Sequence, residues 1–383
     1  MSVCRLVKSK RYRCYFKEFE YNRNQLHRSA CDRTRLHEQQ LVRCNRLREA
    51  FCSASIRFPK NITDAIMSCD SSGLIDRTIL SSLSRLVEKL QLTLTETIRL
   101  WRNESPEDRR PNKSMDPTWL DILLHGYRHR HCAVAVATFG VSHNFTGPRS
   151  PDTEPARNHA SARDFNRALL RSIGDGQTQG TYLVLDLPVA LRWSALRFSP
   201  FGCVPKKDVN PTECARLIHD LSYPEDSSIN HCSTQSKLPD LNYESVRRIA
   251  RRIEELAERH PTLKIKLLKG DVKTAFRLIA VATSLAAHFA GSMGDLAVID
   301  LALPFDDHIL LEVDKGNRLA LAEAALQLSM LAVLGPNAIN EKKFSPWATN
   351  LDVLGLSWDT QERTISMPPD KVQKSLNSNC KGS

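Results

Sequence analysis

Lys269-Gly-Asp-Val-Lys-Thr-Ala-Phe276 is the stretch on which the reading of this chain turns. Just ahead of it, Leu263, Ile265 and Leu267 alternate with Lys264 and Lys266. That period of two is the mark of a half-buried strand. Asp271 then falls near the end of a strand, where its carboxylate can hold a cation. An aromatic, Phe276, follows five residues later, after the small Ala275. An Asp at a strand end also fits a plain turn or a helix cap, so the remainder of the chain has to decide.

The 383 residues suffice for two or three domains with a sizeable core. Lys and Arg number 54 against 43 Asp and Glu, a formal charge of +11. The excess is concentrated: residues 1–60 hold 15 Lys or Arg and five Asp or Glu. A basic arm of this kind points to a polyanion, most simply nucleic acid. It also fits a solvated, partly disordered tail. Eleven cysteines without a CxxC pair fit reduced thiols inside a cell better than a disulfide framework. No signal-peptide pattern opens the chain, and the weakly polar run 279–291 is too short to span a bilayer. The expectation is an intracellular protein, cytoplasmic or nuclear, that does not meet a membrane. Lys8, Lys10, Arg11 and Arg13 fit a weak nuclear signal.

Along the chain, Arg23 to Arg48 is a candidate basic helix. Ile79, Leu83, Leu86, Leu90, Leu94, Ile98 and Trp101 recur at three- and four-residue steps, which predicts one amphipathic helix from about Asp76 to Trp101. Residues 103–117 are polar and contain Pro, as a linker does. A short helix is expected from Pro117 to Gly126. His125, His129, His131, Cys132 and His143 gather after it, but their spacing matches no zinc pattern. Residues 146–162, with Gly147, Pro148, Pro151 and Pro155, read as a second linker. Arg163 to Ser172 is expected to be helical and Tyr182 to Leu185 a strand.

Phe201-Gly-Cys-Val-Pro-Lys-Lys-Asp208 and Arg216-Leu-Ile-His-Asp-Leu-Ser222 are two strand-like runs joined by a polar, Pro211-containing loop. They predict a hairpin. Glu244 to His260 is a helix that buries Val246, Ile249, Ile253 and Leu256, and Pro261 ends it. Leu303-Pro-Phe-Asp-Asp-His-Ile-Leu-Leu311 puts two adjacent carboxylates, Asp306 and Asp307, between apolar strands. A bare Asp-Asp turn has the same look. Gly316 to Leu334 is an Ala- and Leu-rich helix stopped by Gly335-Pro336, and Asn340-Glu-Lys-Lys-Phe344 follows it. Val353 to Trp358 and Arg363 to Met367 read as the two strands of a hairpin turning at Asp359 to Glu362.

Taken in order, these motifs resemble the reverse transcriptases of retroelements over about residues 198–371, under half the chain. The resemblance implies an α+β fold: fingers and palm, an antiparallel sheet backed by helices, preceded by a mostly helical amino-terminal region. It divides the chain into a basic arm (1–60, partly disordered), a helical region (61–145), a linker (146–162), a fingers-like part (163–260), an incomplete palm-like part (261–371) and a tail (372–383). It implies RNA-directed DNA synthesis by two-metal phosphoryl transfer. The metal would be Mg2+, with RNA template, DNA primer and deoxynucleoside triphosphates as partners. Asp271, Asp306 and Asp307 would be the catalytic carboxylates and metal ligands, brought together from two strands. Phe276 would lie under the incoming sugar and exclude a 2′-hydroxyl. Lys206 and Arg216 would grip the triphosphate, since fixed cations neutralise phosphate and Arg does so bidentately. Asp220 would orient the hairpin. Lys343, with Lys342 as the near alternative, would approach the triphosphate, and the hairpin near 353–367 would be the primer grip.

The chain departs from that pattern at one place. Asp306 comes 35 residues after Asp271, where the family has a longer stretch with a Gly-containing loop and a long helix. The aromatic expected two positions before the Asp pair is replaced by Pro304, with Phe305 directly before Asp306. Both departures follow if a segment is missing between Phe305 and Asp306, as in a decayed element copy or a mispredicted intron. The expectation is therefore a truncated, internally deleted retrotransposon copy, defective in synthesis. Two alternatives stand beside it. One is a non-catalytic nucleic-acid-binding remnant. The other is an unrelated α/β enzyme, which would need a glycine-rich phosphate loop; neither GxGxxG nor GxxxxGK occurs.

Overall fold

The computed structural model describes residues 33–68, 74–142, 144–147, 155–206, 209–233, 246–272, 279–303, 308–334, 338–340, 343–369 and 371–372. Phe276, Asp306, Asp307 and Lys342, the arm before residue 33, residues 148–154 of the second linker and the tail from 373 lie outside them. Helices α1 (Arg33–Ser53), α2 (Lys60–Ser68), α3 (Arg77–Leu90), α4 (Leu94–Arg102), α5 (Pro117–Leu123), α6 (Arg130–Phe139), α7 (Ala160–Asp164) and α8 (Asn166–Gln179) come first. After them run β1 (Tyr182–Asp186), a short helix α9 (Leu187–Ala190), β2 (Phe201–Pro205), β3 (Ala215–His219), α10 (Val246–Arg259) and β4 (Ile265–Gly270). Next are β5 (Ile279–Ala280), β6 (Ala290–Met293), β7 (Leu296–Asp300), β8 (Ala302–Leu303) and β9 (His308–Val313). The chain ends with α11 (Arg318–Leu334), β10 (Asn350–Val353), β11 (Leu356–Asp359) and β12 (Thr364–Ser366). Every strand ladder described is antiparallel. The fold is α+β, with eight of the described α-helices ahead of the first strand and three between later strands. Among the described residues no helix is long and apolar enough to cross a membrane.

Two compact units share these elements. One holds the described parts of Asp32–Pro239 and Phe276–Pro304, the other those of Asp240–Ala275 and Phe305–Ser383. In the first unit β7 lies between β1 and β6. Tyr-Leu-Val-Leu in β1 and Leu-Ala-Val-Ile in β7 are apolar without alternation, and both faces of this sheet are covered. Leu183, Leu185, Ala297 and Ile299 face one cluster with Leu47, Phe51, Ile98 and Trp101. Tyr182, Val184, Leu296 and Val298 face another with Leu169, Ile173 and Phe201. A continuous apolar run is what a sheet buried on two sides requires.

The helix expected over Asp76–Trp101 is two helices. Asp76 caps α3, its Oδ1 accepting from the Thr78 and Ile79 amides at 2.8 and 3.0 Å. Gln91 then takes a left-handed conformation (φ 53°) and ends α3. Thr93 and Glu96 form a reciprocal capping box that starts α4. The three-four periodicity runs through the break because both helices bury the same stripe. Arg102, at the end of α4, is buried, and its guanidinium donates to the carbonyls of Val281 (2.8 Å) and Leu301. Burial drives its pKa down to about 10, with Glu104 opposing. The polar stretch after α4, read as a linker, is held by Asp108, which pairs with Arg110 (2.8 Å) and Lys113 (3.1 Å). The Arg110 and Lys113 donors hold the Asp108 carboxyl well below the usual range, against a burial effect that raises it.

In the second unit β4 and β9 form a six-pair ladder from Ile265↔Val313 to Gly270↔His308. Ile249, Ile253, Leu256 and Ala257 of α10, at the spacing read from the sequence, pack on Ile265, Leu267, Val313, Val353 and Trp358. The other edge of β4 meets the segment after α11, through bridges Val272↔Ile339 and Leu267↔Ala348. Val353 to Trp358 is not one strand. Leu354 (φ 52°) and Gly355 (φ 77°) make a two-residue turn between β10 and β11, giving a three-stranded meander. Positive φ at both turn residues matches the twist of a tight hairpin. The strands on either side of Asp306-Asp307 also differ from expectation. They do not pair with each other: β8 pairs with β5, and β9 pairs with β4. The change from one unit to the other falls between the described residues Leu303 and His308, the stretch where the sequence departs from the family pattern.

Candidate functional site

Asp271 is the residue that follows the last pair of the β4–β9 ladder. It is 7% exposed. A charge so enclosed needs partners, and the segment after α11 supplies them. Asn340 donates its backbone N–H to the Asp271 carbonyl at 3.1 Å. Its side-chain amide donates to Asp271 Oδ2. The Lys343 ammonium stands 3.5 Å from the same oxygen. Asn340 is fixed in turn, because its carbonyl accepts the Lys343 (2.9 Å) and Phe344 (3.2 Å) amides. Ser345 ties the segment to β4 once more, its N–H donating to the Lys269 carbonyl at 2.9 Å and its Oγ accepting the Lys269 N–H at 2.8 Å. Gly270 permits this close packing. A Cβ there would meet Leu326 Cδ2 at 2.8 Å and Phe344 Cζ at 2.9 Å.

Asp271 and Lys343 are thus brought together. Asp306, Asp307 and Phe276 are outside the described residues. Asp307 is, in sequence, the residue before His308, whose pairing with Gly270 ends the ladder. Among the described residues no three His, Cys, Asp or Glu side chains converge as a metal site would. The Asp271 carboxylate is a hard oxygen donor of the type Mg2+ takes. Asn340 was not among the residues singled out for a role. Its signal was local: Asn three positions before Lys343, after a helix stop, in a segment already noted for its lysines.

Lys206 and Arg216 lie on the β2–β3 hairpin of the other unit. Arg216 is exposed and sits opposite Val204. Val204 (47% exposed) and Ile218 (38%) share its face, while Phe201, Cys203 and Ala215 turn inward. The Lys206 ammonium is exposed and donates to Cys214 Sγ at 3.2 Å. The loop between the strands is anchored at Glu213, which pairs with Arg167 at 3.0 Å and Arg171 at 3.3 Å. At the hairpin's base Asp220 accepts from the Ser222 amide at 3.0 Å and bonds His159 at 2.9 Å. Neighbouring His219 is half-buried, its Nε2 3.1 Å from the Ala290 carbonyl. Burial pushes its pKa down to about 4, against that hydrogen bond and Asp220. His159, Glu213 and His219 carried no distinguishing sequence pattern, because each partner is remote in the chain or set by the hairpin.

No protein-family model matches the sequence, and no curated protein does either. Among solved structures the chain is similar to a foamy viral protease–reverse transcriptase dRH in complex with ds DNA, with 11% identity and a TM-score of 0.41, over 67% of this chain and 48% of that one. It is similar to the foamy viral protease–reverse transcriptase in complex with dsDNA, at 13% identity and a TM-score of 0.41, over 68% and 58%. The same viral protein in complex with an RNA/DNA hybrid shows 14% identity and a TM-score of 0.41, over 73% and 37%. The chain spans less than two thirds of the length of each of these structures.

Proposed function

We propose that this chain is the fingers and palm of a retroelement reverse transcriptase, and that in its present form it binds nucleic acid but polymerises DNA poorly or not at all. The observation that carries the proposal is the β4–β9 ladder. It closes at Gly270↔His308, the immediate neighbours of Asp271 and Asp307. In this reading an antiparallel pair that ends so brings two carboxylates from different strands to a common end. In this reading Asp271, Asp306 and Asp307 hold Mg2+, which would supply charge stabilisation to a phosphoryl transfer. Lys343 approaches the triphosphate from beside Asp271. Lys206 and Arg216 hold the phosphates from the fingers-like hairpin, and Phe276 checks the sugar. RNA template and DNA primer are the nucleic-acid partners in this reading, with the basic arm of residues 1–60 supplying phosphate contacts. The fingers-like part spans 163–260 and the palm-like part 261–371.

A specific observation favours the non-catalytic form of this reading. The strand that leads toward Asp306, β8, pairs with β5 and not with β9, so the two described strands that flank the carboxylate pair in sequence do not form a hairpin with each other. A shift of about 1 Å at reacting groups is enough to cost roughly a hundredfold in rate. The test is extension of a DNA primer on an RNA template with Mg2+ and deoxynucleoside triphosphates. Little or no extension is expected, with primer–template binding that weakens steeply as salt rises. Robust extension that disappears in Asp271→Ala would overturn the defect. Failure to bind primer–template even at low salt would overturn the whole reading.

A further inference from the structure

We propose that Lys343 is the resident counter-cation of Asp271, and that a divalent cation must displace its ammonium in order to bind. This rests on the reading of Asp271 as a metal ligand. Two donors converge on one oxygen, Asp271 Oδ2, and they differ in kind. Asn340 is neutral and is locked by backbone hydrogen bonds on both sides, to the Asp271 carbonyl and from the Lys343 and Phe344 amides. Lys343 is charged and loosely held. Its ammonium is 3.5 Å from the oxygen, on a side chain that is 68% exposed, whereas the Asp271 side chain is 11% exposed.

The asymmetry matters for exchange. A carboxylate this enclosed is costly without a positive partner, so some cation has to stand at it in the metal-free protein. An exposed Lys on a flexible stem loses little by leaving, because its charge returns to water. Asn340 stays and keeps Oδ2 aimed. A divalent cation binding that carboxylate would repel an ammonium so near the same oxygen. Metal entry and Lys343 departure are then one event, and the departing ammonium becomes available to an anion such as a phosphate. Linkage makes the coupling reciprocal: an anion that draws Lys343 away tightens the metal.

The prediction has a sign that general damage cannot produce. Binding of Mn2+, as a stand-in for Mg2+, is measured on the full chain by the loss of the free-ion electron paramagnetic resonance signal. Lys343→Met should bind Mn2+ more tightly than wild type, by about two- to fivefold, the range of an exposed ion pair. Lys343→Arg should stay near wild type, and Asp271→Ala should lose the site. Unchanged or weaker binding in Lys343→Met, with the site still lost in Asp271→Ala, overturns the counter-cation alone. Wild-type binding retained in Asp271→Ala overturns both this proposal and the metal reading beneath it.

Discussion

Asp271 and Arg216 present their charges in opposite ways. Asp271 is almost enclosed, just past the end of a strand laddered on one edge and bridged on the other, with an amide and an ammonium converging on one oxygen. Arg216 stands exposed on a two-stranded hairpin, beside the exposed apolar residues Val204 and Ile218. The difference follows what each is proposed to do. A metal ligand has to be held in place, and the surrounding packing does that. A phosphate contact has only to reach a flexible, highly charged ligand, and an exposed guanidinium suffices. The first arrangement therefore depends on the core beneath it, and the second on its own side chains.

The largest expected effect separates the two on that basis. Trp358 is 1% exposed, packs with Leu267 and Val313 behind the β4–β9 ladder, and donates its indole N–H to the Val353 carbonyl at 3.2 Å. Trp358→Ala should cost about 3–5 kcal/mol in urea unfolding. Val204→Thr, on the open hairpin face, should stay within about 0.5 kcal/mol. Similar losses for both would mean that the hairpin face is not open.

An intermediate effect concerns His219, at the end of the hairpin's second strand. His219 has a folded pKa of about 4 against an ordinary 6.5. A depressed base binds its proton more readily when unfolded, so its neutral form carries no penalty above pH 6.5. Stability is then lost as pH falls from 6.5 toward 4, by about 2 kcal/mol for a half-buried group. Urea midpoints of wild type and His219→Gln measured at pH 7.5 and 4.5 should differ in slope, with the variant flatter. Parallel slopes would show that the imidazole titrates normally.

The smallest effect is confined to binding. Arg216→Ala should weaken the affinity for deoxynucleoside triphosphate or primer–template about tenfold, the worth of one charge-assisted contact. Thermal stability should not change. A loss of stability with unchanged affinity would make Arg216 a structural residue and erase the contrast with Asp271.

Much of this was legible in the residues themselves. The alternation ending at Asp271, the buried face of α10 and the Phe201–Ser222 hairpin all have periods that follow from which side is buried. What was not legible depended on competition between local signals. Thr93 and Glu96 capped a new helix inside an unbroken apolar stripe, and Leu354-Gly355 turned a run that reads as one strand. Asn340 was invisible as a partner of Asp271 because it is 69 residues away and its segment is brought in by α11. The separate pairings of β8 and β9 are likewise non-local, although the anomaly at Pro304–Asp306 marked where to look.

The central claim is that Asp271 shares a metal with the Asp306–Asp307 pair. Anomalous diffraction from crystals of the full chain soaked in Mn2+ tests it most directly. The account predicts a peak about 2.1 Å from an Asp271 carboxylate oxygen and at similar distance from Asp306 or Asp307. No peak at Asp271, with the Asp306 and Asp307 carboxylates on another side of the unit, would contradict it.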